Sequence, residues 1–348
     1  MRSMKSILGS TLVERTTEVG AGHAVRYLDV VAGYLRHLKS LAEAQTGAAI
    51  GRVVLGRPVF FVDDDPQRDT AAQAALERAA RAVGFGEIAF QYEPIAAALD
   101  YEATIAHEQV VLVADIGGGT SDFSLLRVGP RHRGRLDRGG DILANHGVHI
   151  AGTDFDRRIE LAAVMPVLGF GGRGPSGREV PSKVYHDLAT WHLINTVYAP
   201  ARVAELRRMK GFYADLAQHA RLMAVIERRL GHALIARAEG AKIALAEGGA
   251  TRIDLAEVAA AVDLSAADAL AALQADIERI VAAAGHTLAL AGLGAERVEA
   301  LYFTGGSTGL KPLAERIAAR FPHARVVCGD RFASVAQGLG RHARLAFG

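Results

Sequence analysis

The chain has 348 residues, half of them apolar and 6% aromatic, with a formal net charge of only +2. That length allows one large or two medium cores, the charge is too mild to argue for a nucleic-acid partner, and no uncharged apolar run approaches the ~18 residues of a membrane span. Cys328 is the only cysteine, which excludes an intrachain disulfide and predicts a reducing, cytoplasmic setting.

In chain order, Met1 to Lys5 is basic but only Ile7-Leu8 follows, so the start reads without a signal-peptide apolar region. Val25, Leu28, Val31, Leu35, Leu38 and Leu41 recur at helical spacing and close on Gly47, predicting a helix over 24–45. Residues 53–61 read as a strand interrupted by Gly56 and Pro58, followed by the acidic loop Asp63-Asp64-Asp65-Pro66. An alanine-rich helix over 68–83 ends at Gly84, residues 85–91 form a short strand, and Glu93-Pro94 opens a helix to about Ala106.

The most informative stretch is Ala114-Asp-Ile-Gly-Gly-Gly-Thr-Ser-Asp122. A buried strand, Val110 to Val113, leads into it, and a second strand, Phe123 to Val128, leads out. The glycines therefore sit in a strand–turn–strand hairpin, which excludes the dinucleotide fingerprint and the Walker loop, since both need a helix directly after their glycines. Gly117, Gly118 and Gly119 would let phosphate oxygens reach backbone N–H groups, and Thr120 adds a hydroxyl. Asp115 and Asp122 flank the turn, where carboxylates suit a hydrated metal ion or the orientation of a water. The plainer alternative is an ordinary glycine-rich hairpin, although turns seldom need three glycines between two aspartates.

Beyond the hairpin, the basic run 131–138 reads as a solvated hairpin tip, and His146 and His149 have no further ligand nearby to make a metal site. Helix signals dominate 153–246, broken by the Gly/Pro-rich stretch 169–182; Trp191, Leu193, Ile194, Val197 and Tyr198 read as the core of a small helical subdomain. A long helix follows over 265–292, then a strand over 299–304, a turn at Gly305 to Thr308, and a helix over 310–320. Val326-Val327 is a last short strand, and a helix over 332–345 closes the chain.

The glycine hairpin resembles the second phosphate motif of the actin-like ATPase superfamily, and other stretches narrow the likeness to the 70-kDa heat-shock chaperones. Tyr92-Glu-Pro-Ile-Ala-Ala-Ala-Leu-Asp-Tyr101 resembles that family's N-E-P-x-A-A-A-L-x-Y connection, and Ala151-Gly-Thr-Asp-Phe-Asp156 its G-G-x-D-F-D. Glu239-Gly-Ala-Lys-Ile-Ala-Leu245 is similar to its E-x-A-K-x-x-L helix, where the acid and the lysine share one face. Tyr302-Phe-Thr-Gly-Gly-Ser-Thr308 resembles its adenosine motif, and Ala333-Ser-Val-Ala-Gln-Gly338 its second connecting helix. Five motifs in the family's order cover about 92–340. Asp187 to Asn195 and Ala241 to Leu245 point further, to the YegD-like branch of DnaK-type proteins.

The resemblance implies an α/β, actin-like ATPase (ribonuclease H-like) fold of two lobes. Lobe II would be complete with a helical subdomain insert and lobe I truncated. The divisions are 1–107 for the lobe I remnant, 108–325 for lobe II with its insert at about 157–247, and 326–348 for the closing strand and connecting helix. It implies ATP or ADP with Mg2+ as cofactor. Gly117, Gly118, Gly119 and Thr120 would cradle phosphates, Asp115 would hold the metal through water, and Glu93 would face the same hydrated ion. Asp122 would support the turn, Glu239 and Lys242 would hold the ribose, Gly305, Gly306 and Ser307 would meet adenosine, and Gly152 would join the nucleotide-binding set. Ile243 and Gly309 depart from the family, which often places arginines there against adenine.

Nothing before Tyr92 matches the family's leading D-x-G-T-x-x-S hairpin, and residues 1–9 resemble a segment from well inside lobe I. The expectation is therefore of about a hundred residues missing from the N-terminus, hydrolysis near background, and self-association through an exposed lobe I edge. The expected function is that of an ATP-binding chaperone homologue acting with client proteins or co-chaperones, with no nucleic-acid or membrane partner. A small-molecule kinase of the same superfamily and a non-enzymatic scaffold or filament module are the alternatives.

Overall fold

The computed structural model describes residues 8, 10, 13–18, 24–62 and 65–348. The basic start at Met1 to Lys5 and the acidic Asp63 and Asp64 lie outside these residues. Strands β1 (Thr16–Glu18) and β2 (Ala24–Arg26) pair antiparallel and lead into helix α1 (Tyr27–Thr46). Gly47 ends α1 in the left-handed region, at φ 68°, returning its N–H to the Glu43 carbonyl. β3 (Arg52–Arg57), α2 (Pro66–Ala82) and β4 (Glu87–Tyr92) follow as a parallel βαβ unit registered from Arg52↔Glu87 to Arg57↔Tyr92. β3 stops at Arg57, short of the sequence expectation, because Pro58 cannot donate to a ladder. Asp65 caps α2 by accepting from the Arg68 N–H, and Leu28, Val31, Leu55, Ala72, Ala75 and Phe85 bury a first core between these elements.

Helix α3 (Glu93–Thr104) then leads into a five-stranded sheet. Its strands are β5 (Gln109–Ile116), β6 (Ser121–Val128), β7 (Ile142–Val148), β10 (Ala300–Thr304) and β11 (Arg325–Cys328), in the order β11-β10-β5-β6-β7. β10 runs parallel to both β5 and β11, whereas β5, β6 and β7 are antiparallel. Both faces of the sheet are covered, as its near-continuous apolar strands require. Leu112, Ala114, Ile116, Phe123 and Leu125 turn one way, while Val111, Val113, Leu126 and Val128 turn the other. The first set belongs to one continuous core with α4 (Gly152–Ile159), the helices α5 (Lys183–Leu188), α6 (Ile194–Val197), α7 (Pro200–Arg208), α8 (Leu216–Glu227) and α9 (Gly231–Ala244), and the long α10 (Ala266–Leu290) and α11 (Lys311–Ala318). The second set packs against α3, with Val335 of the closing helix α12 (Ser334–Phe347) alongside.

Five strands escape the sequence reading: β1, β2, β7, β8 (Ala250–Leu255) and β9 (Ala260–Ser265), with β2 taking Ala24 to Arg26, the first residues of the helix expected over 24–45. β7 carries Asn145, His146 and Gly147, poor strand formers that the β6 ladder nonetheless recruits. The hairpin of β8 and β9 is rich in alanine, so its period is muted. Its geometry comes from the backbone: Gly248 and Gly249 at φ 113° and 88° turn the chain out of α9, and Ala259 reverses it at φ 52°. Within the insert Ile194 and Val197 are buried, whereas Trp191, Leu193 and Tyr198 are only half-buried.

The basic run 131–138 also departs from its reading as a solvated tip. His132 and Arg138 are buried. Arg138 donates to both oxygens of Glu102 at 2.9 and 3.1 Å and pairs with Asp141, while His132 lies 2.9 Å from Asp141 and 3.0 Å from Glu108. Arg131, Arg133 and Arg135 remain exposed. The loop is thus a buried ion cluster pinning the β6–β7 connection to the end of α3.

Candidate functional site

The β5–β6 ladder ends with Asp115 opposite Asp122 and Ile116 opposite Ser121. The turn Gly117 to Thr120 closes through the Gly117 N–H to the Thr120 carbonyl at 3.0 Å. Two segments from elsewhere in the chain meet this turn. The Gly152 and Thr153 N–H groups, at the start of α4, donate to the Gly117 and Gly118 carbonyls at 3.2 and 2.7 Å. The Ser307 hydroxyl donates to the same Gly117 carbonyl at 2.7 Å. Three motifs separated by 35 and 155 residues of chain therefore close around one carbonyl oxygen.

The glycines fall into two kinds. Gly118 and Gly119 leave open space where a side chain would stand, so the floor of the turn stays accessible. Gly152 and Gly305 are glycines of close approach. A Cβ on Gly152 would lie 2.6 Å from Ser307 Oγ, and one on Gly305, already at φ 86°, would lie 2.5 Å from the Ile116 carbonyl and 2.7 Å from Asp115 Oδ1. The Gly305 backbone is thus pressed against the end of β5 beside Asp115.

The side chains around the turn are specific. The Thr120 hydroxyl donates to Asp122 Oδ2 at 2.7 Å, and the Asp122 carboxylate sits so close to Gly147 on β7 that no side chain fits there. Asp122 therefore braces the hairpin from the side. Lys242 on α9 pairs with the fully buried Asp156 at 2.6 Å and donates to the Gly152 carbonyl at 3.2 Å, so the lysine ties α9 to the start of α4. Glu239, one turn earlier on α9, is half-buried. Glu93 opens α3 beneath Gly56, where a Cβ would meet Glu93 Cγ at 3.2 Å and Oε1 at 3.3 Å. Asp115, Asp122, Gly117 to Thr120, Gly152, Lys242, Gly305 and Ser307 thus converge, while Gly306 stands at the exposed rim of the same loop.

Beside Lys242, a cavity of about 370 Å³ runs between the end of α9 and the starts of α10 and α11, lined among others by Leu245, Leu270, Leu310, Lys311 and Glu315. Among the described residues no group of three or more His, Cys, Asp or Glu side chains is placed to hold a metal ion directly. A cation here would sit on water and ligand oxygens near Asp115, which is the way a reluctantly dehydrated magnesium ion is ordinarily held. The fit to an anionic ligand is otherwise good: open glycine N–H groups, a lysine, and carboxylates to one side. His146, by contrast, packs edge-on against His286 with ring centres 4.6 Å apart.

Sequence reasoning missed two residues here. Asp156, the partner of Lys242, lies inside the quoted Gly152 to Asp156 stretch, but its pairing is visible only once α9 is packed on α4. Glu160, fully buried one turn further on, occupies a wide turn, Glu160–Val164, where the helix passes to five-residue spacing. An acidic residue in an otherwise apolar run was its only signal.

A mixed sheet carrying a glycine hairpin at its centre, a second glycine loop on the adjacent strand and a helical insert between them is the actin-like ATPase fold. The Hsp70 protein family matches residues 9–164. The chain is 28% identical over 328 residues, 94% of its length, to the chaperone protein HscA of Serratia proteamaculans, covering 42% of that protein. It is 31% identical over 159 residues to the chaperone protein DnaK of Mycoplasmoides gallisepticum, covering 45% of this chain and 24% of that one. It is 38% identical over 134 residues to an HscA homolog of Laribacter hongkongensis, with 38% of this chain and 19% of that protein covered. The chain is thus similar to Hsp70 proteins, by a family model over residues 9–164 and by relatives named HscA and DnaK. It spans less than half the length of these curated relatives. Among the described residues no helix is long and apolar enough to cross a membrane.

Proposed function

We propose that this chain binds Mg-ADP and Mg-ATP in the cleft around Gly117 and serves as the nucleotide-responsive part of a cytoplasmic Hsp70-type chaperone, within the YegD-like branch. The convergence of the Gly152 N–H and the Ser307 hydroxyl on the Gly117 carbonyl carries the proposal, because it assembles three glycine segments around one open floor. In this reading Gly117, Gly118 and Gly119 present N–H groups to the phosphates, whose negative charge such donors favour. Thr120 is held by Asp122, so its backbone is fixed before ligand arrives. Asp115 and Glu93 accept hydrogen bonds from water around the cation. Glu239 and Lys242 reach the ribose hydroxyls beside Gly152, and Gly305, Gly306 and Ser307 bring backbone against the base side. A bound magnesium ion supplies charge neutralisation for the phosphates.

Hydrolysis by this chain is expected near background. Phosphoryl transfer rests on positioning the phosphate from both sides, and no segment before Tyr92 matches the D-x-G-T-x-x-S pattern of a facing hairpin. Turnover equal to that of longer Hsp70 proteins would defeat this part of the reading. Self-association is supported by the exposed Tyr34, Leu38 and Leu41 on α1 and by β3, which pairs only with β4 among the described residues. A monomer by light scattering at high protein concentration would rule it out. Clients and co-chaperones enter as partners through the cleft's response to nucleotide.

The deciding experiment is a calorimetric titration with Mg-ADP, compared with Mg-GDP. Saturable binding near micromolar, about −8 kcal/mol, is expected for ADP. Gly118→Val, whose side chain enters open space in the ligand-free protein, should fold normally yet lose binding. Absence of any ADP binding would overturn the proposal.

A further inference from the structure

Phe332 is the most exposed large apolar side chain among the described residues, with 88% of its surface open to solvent. An exposed aromatic is ordinarily mobile and unremarked, but this one is fixed by the backbone on both sides. The Asp330 carboxylate accepts the N–H groups of Phe332 and Ala333, each at 2.9 Å, and those two bonds hold it below the usual carboxylate range. The Ser334 hydroxyl binds the Asp330 carbonyl and lies 2.9 Å from the Thr304 hydroxyl, which ties the segment to the end of β10. The Gly329 N–H adds a bond to the Phe303 carbonyl at 3.0 Å.

The segment so fixed lies along the second glycine loop. An ideal Cβ on Gly306 would stand 3.0 Å from Phe332 Cε1, and one on Gly309 would stand 2.7 Å from Arg331 Nη1. The ring therefore rests against Gly306 and the guanidinium against Gly309, and neither glycine could carry a side chain without displacing them. Ser307, the next residue, touches the Gly117 carbonyl. One Cα step is about 3.8 Å, so the ring rests one residue away from the segment whose hydroxyl touches the glycine turn.

We infer that Phe332 is the stacking platform for the base of the bound nucleotide, with Arg331 beside it, and that this aromatic face sets the chain's preference for a purine. The inference rests on the nucleotide reading above and deepens it. An aromatic ring gains from a base laid on its face, and a guanidinium on the same rim adds to the attraction. A purine offers the larger face and gains more. The opposite side of Phe332 remains open, so the platform is available without rearrangement.

The test uses the intact chain and variants at Phe332, whose exposure makes misfolding on substitution improbable on physical grounds. In calorimetry with Mg-ADP, Phe332→Ala should weaken binding about tenfold or more, whereas Phe332→Tyr should bind as the parent does. In Phe332→Trp, Mg-ADP should quench the new indole fluorescence, with the parent, which has only Trp191, as the blank. Magnesium pyrophosphate at the same concentration should leave that fluorescence unchanged. Parental ADP affinity in Phe332→Ala, or equal quenching by pyrophosphate, overturns the stacking role and leaves the nucleotide reading standing. Failure of the parent chain to bind ADP overturns both.

Discussion

Glu160 has both carboxyl oxygens buried and without a hydrogen-bond partner among the described residues, one turn from the Asp156–Lys242 pair. Burial, and secondarily the Asp156 charge, push its ionisation well above the ordinary 4.5. Below 4.5 folded and unfolded chains are both protonated there, and the group adds no pH-dependent cost. As pH rises above 4.5 the unfolded chain releases this proton and the folded one retains it, so stability falls. Glu160→Gln should therefore melt progressively higher than the parent as pH rises over roughly 5 to 8, and the two should converge in acid. Melting curves with the same pH dependence in both proteins would contradict this. The position shows why parts of the site were hidden from sequence: a glutamate in a helical run normally faces water, and only the packing of α4 and its wide turn against the neighbouring insert encloses it. Gly117, Gly118 and Gly119 were legible for the opposite reason, since a tight turn that must stay open needs them whatever surrounds it.

Two contacts between elements make opposite demands on the chain. Where α12 crosses α3, Gly338 lies so close to the Ala96 carbonyl that even a methyl group would collide. Gly340, on the same helix, faces open space. Gly340→Ala should stabilise by up to ~1 kcal/mol, as helix propensity dictates, while Gly338→Ala should cost ~1–3 kcal/mol through overpacking. Urea unfolding of the pair reads the sign directly, and stabilisation by both would refute the close crossing. The second contact is the Arg138 cluster at the end of α3. Arg138→Met leaves Glu102 buried without its cation and Asp141 with only His132 and Arg135, and should cost ~3–5 kcal/mol, far more than the loss of an exposed arginine such as Arg131. Near-equal midpoints for the Arg138 and Arg131 variants would show the cluster to be solvated after all. Neither contact is legible in the linear order. A basic run with glycines reads as a surface loop, and only the juxtaposition of Glu102 and Asp141 makes it structural.

At the scale of the whole molecule, the cleft joins elements drawn from the middle and the last fifth of the chain, so ligand should stabilise them together. At a hundredfold excess over Kd, Mg-ADP should add about 2.7 kcal/mol and raise the melting temperature by a few degrees, a shift that Gly118→Val should abolish. An equal shift in that variant would place the nucleotide elsewhere. The strands β5, β6 and β10 were legible because they are apolar runs bounded by glycines, whereas their order in the sheet, and β7, β8 and β9, exist through pairing that no local pattern announces. The bond between Ser307 and Gly117 has one more consequence, in time rather than in space. Domains fold from the N-terminus as they are synthesised at about 5–20 residues per second, so the glycine turn leaves the ribosome many seconds before its partner does. Through that interval the nascent hairpin has no completed cradle, so whatever the cleft binds has no finished site to bind until the last strands have emerged.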